Sequence, residues 1–393
     1  MNKLVKNLLG GIMMAGITIP ALTSCDDSFI FDDRTDCHPG INLRFVYDYH
    51  MEPGANAFMS NVDCVTVFVL DTEGNYITQF SETSDILLKS ESYRMHLPLD
   101  EGEYKLLVYG GLTCDHPTFG FTPGWFTKAD GLHRDDIRVS LPLASDDLGK
   151  PFSNVRLHDI DERWGGLFYG TLDITIDEFD WTTDFREETV FMMKDNNNIQ
   201  VILQELSVPD KMDVNDFDFK IYDDNFVLDG YNQKVGVVTD SYEPYYAPYA
   251  TETRETGWTQ AAASEGQPPT VDNTRIVKVA CAEFQTSRLL MENVSTARLV
   301  VTSKTMKDDN GNDKVVIDMP LITYLATTKG FGNNWIRPDS EWNHGITGHE
   351  DIYQQYLDRQ SNWTLFFFLQ RNEWVKTHII VNDWTVRVNN IKF

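Results

Sequence analysis

The chain has 393 residues and a formal net charge of −27, with 60 acidic against 33 basic side chains. That balance excludes nucleic acid as a partner, because phosphate contacts need clustered lysine and arginine. Aromatic residues make up 12% of the chain, which supports large cores and excludes global disorder.

The predicted elements begin with a leader. Lys3 and Lys6 are followed by an apolar run over 8–22 that is short for a spanning helix and right for a signal peptide. Leu22-Thr23-Ser24-Cys25 resembles a bacterial lipobox, so residues 1–24 read as a lipoprotein signal peptide and Cys25 as the lipid-bearing residue. Several acyl chains hold a protein firmly to a membrane because each buried methylene contributes about 0.8 kcal/mol. Cleavage removes two lysines and no acid, giving a mature charge of −29. Asp26, Asp27, Asp32, Asp33 and Asp36 make residues 25–36 an acidic, self-repelling tether, similar to the surface-export signal of Bacteroidetes-type lipoproteins.

From residue 41 the pattern is of strands. Ile41, Leu43, Phe45, Tyr47 and Tyr49 alternate with polar residues, and Val65 to Leu70 is a continuous β-branched and aromatic run. Asp71-Thr72-Glu73-Gly74-Asn75 reads as a hairpin turn returning through Tyr76–Phe80. Further strands are expected at 93–97, 104–109 and 137–143, and a charged stretch with Gly149 and Pro151 suggests a domain boundary. A second series runs from 167–176 through 188–194, 198–206, 217–222, 275–284, 297–305 and 314–319 to 363–369, 374–381 and 384–391. Residues 240–273 and 330–347 read as long loops, and Glu350–Arg359 as the best helix, with Ile352, Tyr353, Tyr356 and Leu357 on one side. The expectation is an all-β chain of two tandem antiparallel sandwiches, 37–155 and 156–393, with few short helices.

No nucleophile elbow, zinc-protease helix or phosphate loop is present, so neither enzyme, cofactor nor metal is predicted. Asp308, Asn310 and Asn312 have calcium-loop spacing, but Gly311 is displaced and a hairpin turn is expected. Cys37 precedes one strand and Cys114 follows another, which makes Cys37–Cys114 the expected disulfide, with Cys64 and Cys281 as buried thiols. Trp258, Trp335 and Trp342 lie in predicted loops, where they would stack on sugars, contact a partner or cap a sandwich end.

Taken in order, these segments resemble the fimbrial anchor and assembly lipoproteins of Bacteroidetes-type V pili. The resemblance rests on the lipobox, Asp36-Cys37, Ile41–Tyr49, Val65–Asp71 through Gly74 to Tyr76, Gly102–Gly111 and Ile379–Arg387. It implies transthyretin-like sandwiches, a place in the outer membrane, and a role in holding a pilus and ending its growth through strand contacts with a pilin. Under that reading Ile41–Tyr49 stays in place as the first strand, and Thr385, Val386, Val388 and Ile391 in the last strand are candidates for pilin contact. The competing expectations are a surface glycan-binding lipoprotein using Trp258, Trp335 and Trp342, and a tip adhesin binding through 240–273.

Overall fold

The computed structural model describes residues 40–48, 50, 56–112, 118–122, 131–156, 159–160, 163–164, 166–177, 186–236, 243–260, 270–328, 352–371, 373–381 and 384–390. The strands are β1 (Ile41–Val46), β2 (Val65–Leu70), β3 (Tyr76–Glu82), β4 (Met95–Leu97), β5 (Gly102–Gly110), β6 (Gly120–Thr122), β7 (Arg138–Ser140), β8 (Ala144–Ser145), β9 (Pro151–Ser153), β10 (Asp159–Ile160), β11 (Arg163–Trp164) and β12 (Phe168–Ile176). They continue with β13 (Glu187–Lys194), β14 (Asn196–Glu205), β15 (Phe217–Tyr222), β16 (Val227–Asp229), β17 (Tyr245–Tyr246), β18 (Ala250–Gln260), β19 (Thr270–Ser287), β20 (Arg298–Lys307), β21 (Asp313–Pro320), β22 (Asn362–Gln370), β23 (Glu373–Val381) and β24 (Trp384–Asn390). Short helices are α1 (Phe58–Asn61), α2 (Asp85–Leu88), α3 (Leu321–Thr327) and α4 (Ile352–Arg359).

The first sheet has seven strands in the order β3-β2-β5-β12-β13-β1-β4. All six residues of β2 are buried because both faces are covered. Val65, Val67 and Val69 pack with Leu106, Val108, Leu43 and Phe58 of α1 on one face. On the other, Phe68 and Tyr109 meet Phe121 of the three-stranded sheet β16-β7-β6. The second sandwich faces two six-stranded sheets, β18-β19-β14-β22-β23-β24 and β21-β20-β15-β17-β9-β8, with Val201, Phe284, Leu365 and Phe367 against Phe219, Leu299 and Ile317. Its core is continuous with the inner face of the first sheet.

The all-β sandwich architecture agrees with the sequence; the boundary at 155/156 does not agree with the strand pairing. β12 and β13 belong to the first sheet, pairing with β5 and β1, while β8 and β9 are built into the second sandwich. The chain passes between the sheets at Asp195, which joins β13 to β14. Alternating burial identifies a strand without identifying which sheet receives it.

Four turns share one construction. Asp71, Asp146, Asp229 and Asp308 each accept through Oδ1 from the amides two and four residues on. The residue three on takes positive φ: Gly74 98°, Gly149 75°, Asn232 62° and Gly311 83°. Only glycine, or asparagine at some cost, enters that region readily. The loop at 308–312, despite its calcium-like spacing, is the expected hairpin turn, its carboxylate occupied by its own amides, with the Asn312 amide foremost in holding Asp308 below the usual carboxylate range.

The helix expected at 350–359 is α4, but its buried side is partly polar. Tyr356 and Leu357 are buried as predicted, together with Gln354 and Asp358, whereas Tyr353 is 43% exposed. The exchange follows from a buried arginine that α4 must satisfy.

Of the two described cysteines, one agrees with expectation and one differs. Cys281 is a free buried thiol, pushed up to about 11 by burial. Cys64 is disulfide-bonded rather than a thiol. Cys37 and Cys114 lie outside the described residues. The strand directions disfavour joining them: β1 runs with β13, and β5 runs with both, so the start of β1 and the end of β5 are at opposite ends of the sheet. The start of β2 lies beside the end of β5, where the Gly111 amide donates to the Cys64 carbonyl at 3.1 Å. Peptide mapping without reduction is expected to recover Cys64 crosslinked to Cys114. A Cys37–Cys114 peptide would contradict the strand directions.

Candidate functional site

A β-protein of this kind meets other chains through sheet edges, where backbone groups are unpaired. In the first sheet β1 is not an edge. It pairs in parallel with β13 over Asn42–Val46 and antiparallel with β4 over Ile41–Leu43. Past the end of β4 a side chain replaces the strand. Asn56 donates Nδ2 to the Phe45 carbonyl at 3.1 Å and accepts the Tyr47 amide on Oδ1 at 2.8 Å. The Ala57 amide donates to the Tyr47 carbonyl at 2.8 Å. These contacts satisfy the groups that an added strand would need at Phe45 and Tyr47.

The sheet that carries the predicted contact residues ends on β18 and β24. Thr385 and Val388 lie in β24 opposite Ile380 and His378, and Val386 falls where the register shifts between Ile379 and Ile380. That shift is a bulge, a device that bends an edge. Trp258 lies in β18, not in a loop as expected, opposite Asp272 at another register shift. Four strands separate β18 from β24, so Trp258 and Thr385 are about 24 Å apart across the sheet and do not form one site. Cys25, Trp335, Trp342 and Ile391 lie outside the described residues.

The two edges differ chemically. β18 presents exposed Glu252, Arg254 and Glu255. Arg254 bridges Glu252 and Glu283, and the Tyr249 hydroxyl donates to Glu283. Burial pushes the Glu283 carboxyl up, but hydrogen bonds from Tyr249, Gln200 and Arg254 outweigh it and leave the acid below its ordinary value. Charges of this sort discourage strand addition. β24 contains no acid in a chain of charge −27; its sequence is Trp-Thr-Val-Arg-Val-Asn-Asn.

What fixes these edges relative to the first sheet is a buried polar joint. The Asp195 amide donates to the Leu167 carbonyl at 2.8 Å, and Asn196 Oδ1 accepts the Leu167 amide at 3.1 Å. Asn197 donates to the Ser287 carbonyl and accepts from the Trp363 indole, both at 3.3 Å. Asn232 donates Nδ2 to Asp195 Oδ1 at 2.9 Å. Its own carbonyl accepts from Arg288, whose guanidinium grips both oxygens of Asp358 at 2.7 and 2.9 Å. The side chains of Arg288 and Asp358 are 8% and 0% exposed. Gln354 donates to Asp358 and to the Leu289 carbonyl. Sequence reading missed this cluster, whose members are spread over about 160 residues and share no local motif; the aspartate-led turn ending at Asn232 was its one local signal.

Fold and edges define a class: an all-β protein whose accessible chemistry is strand edges, suited to binding and assembly. The chain belongs to the family of fimbrillin-A associated anchor proteins, Mfa2, whose sequence model matches residues 34–390. It is similar to a candidate adhesin from Bacteroides thetaiotaomicron, at 33% identity and a TM-score of 0.64, covering 89% of this chain and 98% of that one. A candidate polysaccharide-binding protein from the same organism is 25% identical, with a TM-score of 0.61 over 90% and 98% of the two chains. The fimbrial anchor protein Mfa2 of Porphyromonas gingivalis shares the fold at 15% identity, with a TM-score of 0.53 over 89% of this chain and 99% of that one. No curated protein matches the chain in sequence.

Removing one member of a buried ion pair leaves the other charge uncompensated, a loss of about 3–5 kcal/mol. Asp358→Asn is expected to lose stability on that scale in urea denaturation, whereas the double variant Arg288→Met/Asp358→Leu recovers most of it. Asn232→Gly, which relaxes the backbone but removes the bond to Asp195, is expected to destabilise the protein rather than stabilise it.

Proposed function

We propose that this chain is an outer-membrane lipoprotein that anchors a type V pilus at the cell surface and limits its polymerisation. Membership of the anchor family supports the reading, and the sealed first strand carries it. A subunit that retains β1 between β13 and β4, with Asn56 over the remaining edge, offers no vacant groove at that position for a further strand. The lipobox ending at Cys25 supplies the membrane attachment, with acyl chains bearing the load and the acidic tether spacing the sandwiches from the membrane. β24, the acid-free edge, is the strand assigned to the adjacent pilin.

The likeness to a candidate polysaccharide-binding protein supports a second reading, a surface glycan binder. Two experiments separate the readings. In cells making fimbriae, Cys25→Ala is expected to release fibres into the medium with the protein attached. Fibres that stay cell-bound in that variant contradict anchoring, and glycan-array binding abolished by Trp258→Ala would favour the second reading.

A further inference from the structure

We propose that Asp195 is a proton-controlled fastener between the two sandwiches, holding the joint closed when protonated and loosening it when ionised. The argument begins with position. Asp195 is the single residue between β13 of the first sheet and β14 of the second, and it is completely buried. Its Oδ1 accepts from Asn232, but Oδ2 has no hydrogen-bond partner among the described residues. A buried carboxylate with one oxygen unpaired is costly, and neutralising it removes most of that cost.

The charges nearby do not supply the missing compensation. The titratable and charged groups around Asp195 are Arg288 at the close of β19, Asp358 on α4, Tyr109 on β5, Tyr169 on β12, Arg134 in the turn before β7, and Asp229 closing β16. Arg288 is engaged by Asp358 and the Asn232 carbonyl, and Arg134 donates to Tyr169 and the Gly230 carbonyl. The Tyr109 hydroxyl is buried and also lacks a partner among the described residues. Burial dominates the result: it pushes the Asp195 carboxyl up to about 7, against the opposing pull of Arg288 and the Asn232 bond.

The sign follows. The unfolded chain releases this proton near 3.8 and the folded chain near 7, so between those values the folded state holds one proton more. Folding stability contributed by Asp195 is therefore full below about 4, falls as pH rises to about 7, and is level above that. Asp223 adds a second contribution of the same sign. It is 3% exposed, its Oδ2 lacks a partner among the described residues, and burial pushes it to about 7 as well. The Asp223 site faces Asp224, Lys234 and Tyr246, with Asn293 donating to its Oδ1.

The test compares the mature chain with Asp195→Asn, which carries the neutral form's shape at every pH. Urea denaturation between pH 5 and pH 6.5 is expected to show a folding constant that falls by a further factor of about ten per pH unit in the wild type compared with the variant, the weight of one proton. Hydrogen exchange, corrected for base catalysis, locates the effect: amides over 195–198 are expected to open more at pH 8 than at pH 6 in the wild type, and equally in the variant. A variant that keeps the wild-type pH slope overturns the proposal. A wild-type joint with equal protection at both pH values overturns it too, and needs no variant to fold.

Discussion

The passage of the backbone from one sheet to the other at Asp195–Asn197 is the constraint on which the rest of the structure depends. A strand crossing between two sheets leaves peptide groups that neither ladder can pair, and here they are buried. The chain answers with side chains: Asn196 stands in for a strand beside Leu167, Asn197 ties β22 to the end of β19, and Asn232 holds Asp195. Arg288 and Asp358 close the network by bringing α4 against it. A buried ion pair of this kind contributes little net stability over a well-packed apolar alternative. Its geometry does set one relative position for the two sheets, which the proposed anchoring role would require.

The same substitution of side chain for backbone recurs at β1. Asn56 completes an edge that β4 is too short to cover. The consequence is a first sheet with its entry strand locked and a second sheet whose edges remain for assembly. Of those, β18 is guarded by Glu252, Arg254 and Glu255, and β24 is not guarded by any acid. Acidic side chains on β18 and the acid-free sequence of β24 make the two edges chemically different.

Much of this fold was legible in the sequence, for physical reasons. Val65–Leu70 reads as a strand covered on both faces because every residue is apolar or threonine, and all six are buried. The aspartate-led turns at 71–75 and 308–312 declare themselves through Gly74 and Gly311, which only a positive-φ position requires. The joint was not legible. Asn232 occupies the same turn position as those glycines, yet its identity is set by Asp195, which is remote in sequence and adjacent only after folding. The boundary was misplaced at 155/156 for a related reason: β12 and β13 follow a break in composition but return to the first sheet. The apolar pattern of α4 did not reveal that Gln354 and Asp358 are also buried, where Asp358 neutralises Arg288. The membrane-attached reading rests on the basic and apolar leader, the lipobox ending at Cys25 and the acidic tether, all of them sequence features.

The central claim is that β1 is sealed while β24 is the strand that meets the pilin. Photocrosslinking on fimbriated cells tests it most directly, with the reactive side chain placed in turn at Asn389 of β24 and at Arg44 of β1. The account predicts a pilin adduct from Asn389 and none from Arg44. An adduct from Arg44 without one from Asn389 would contradict it.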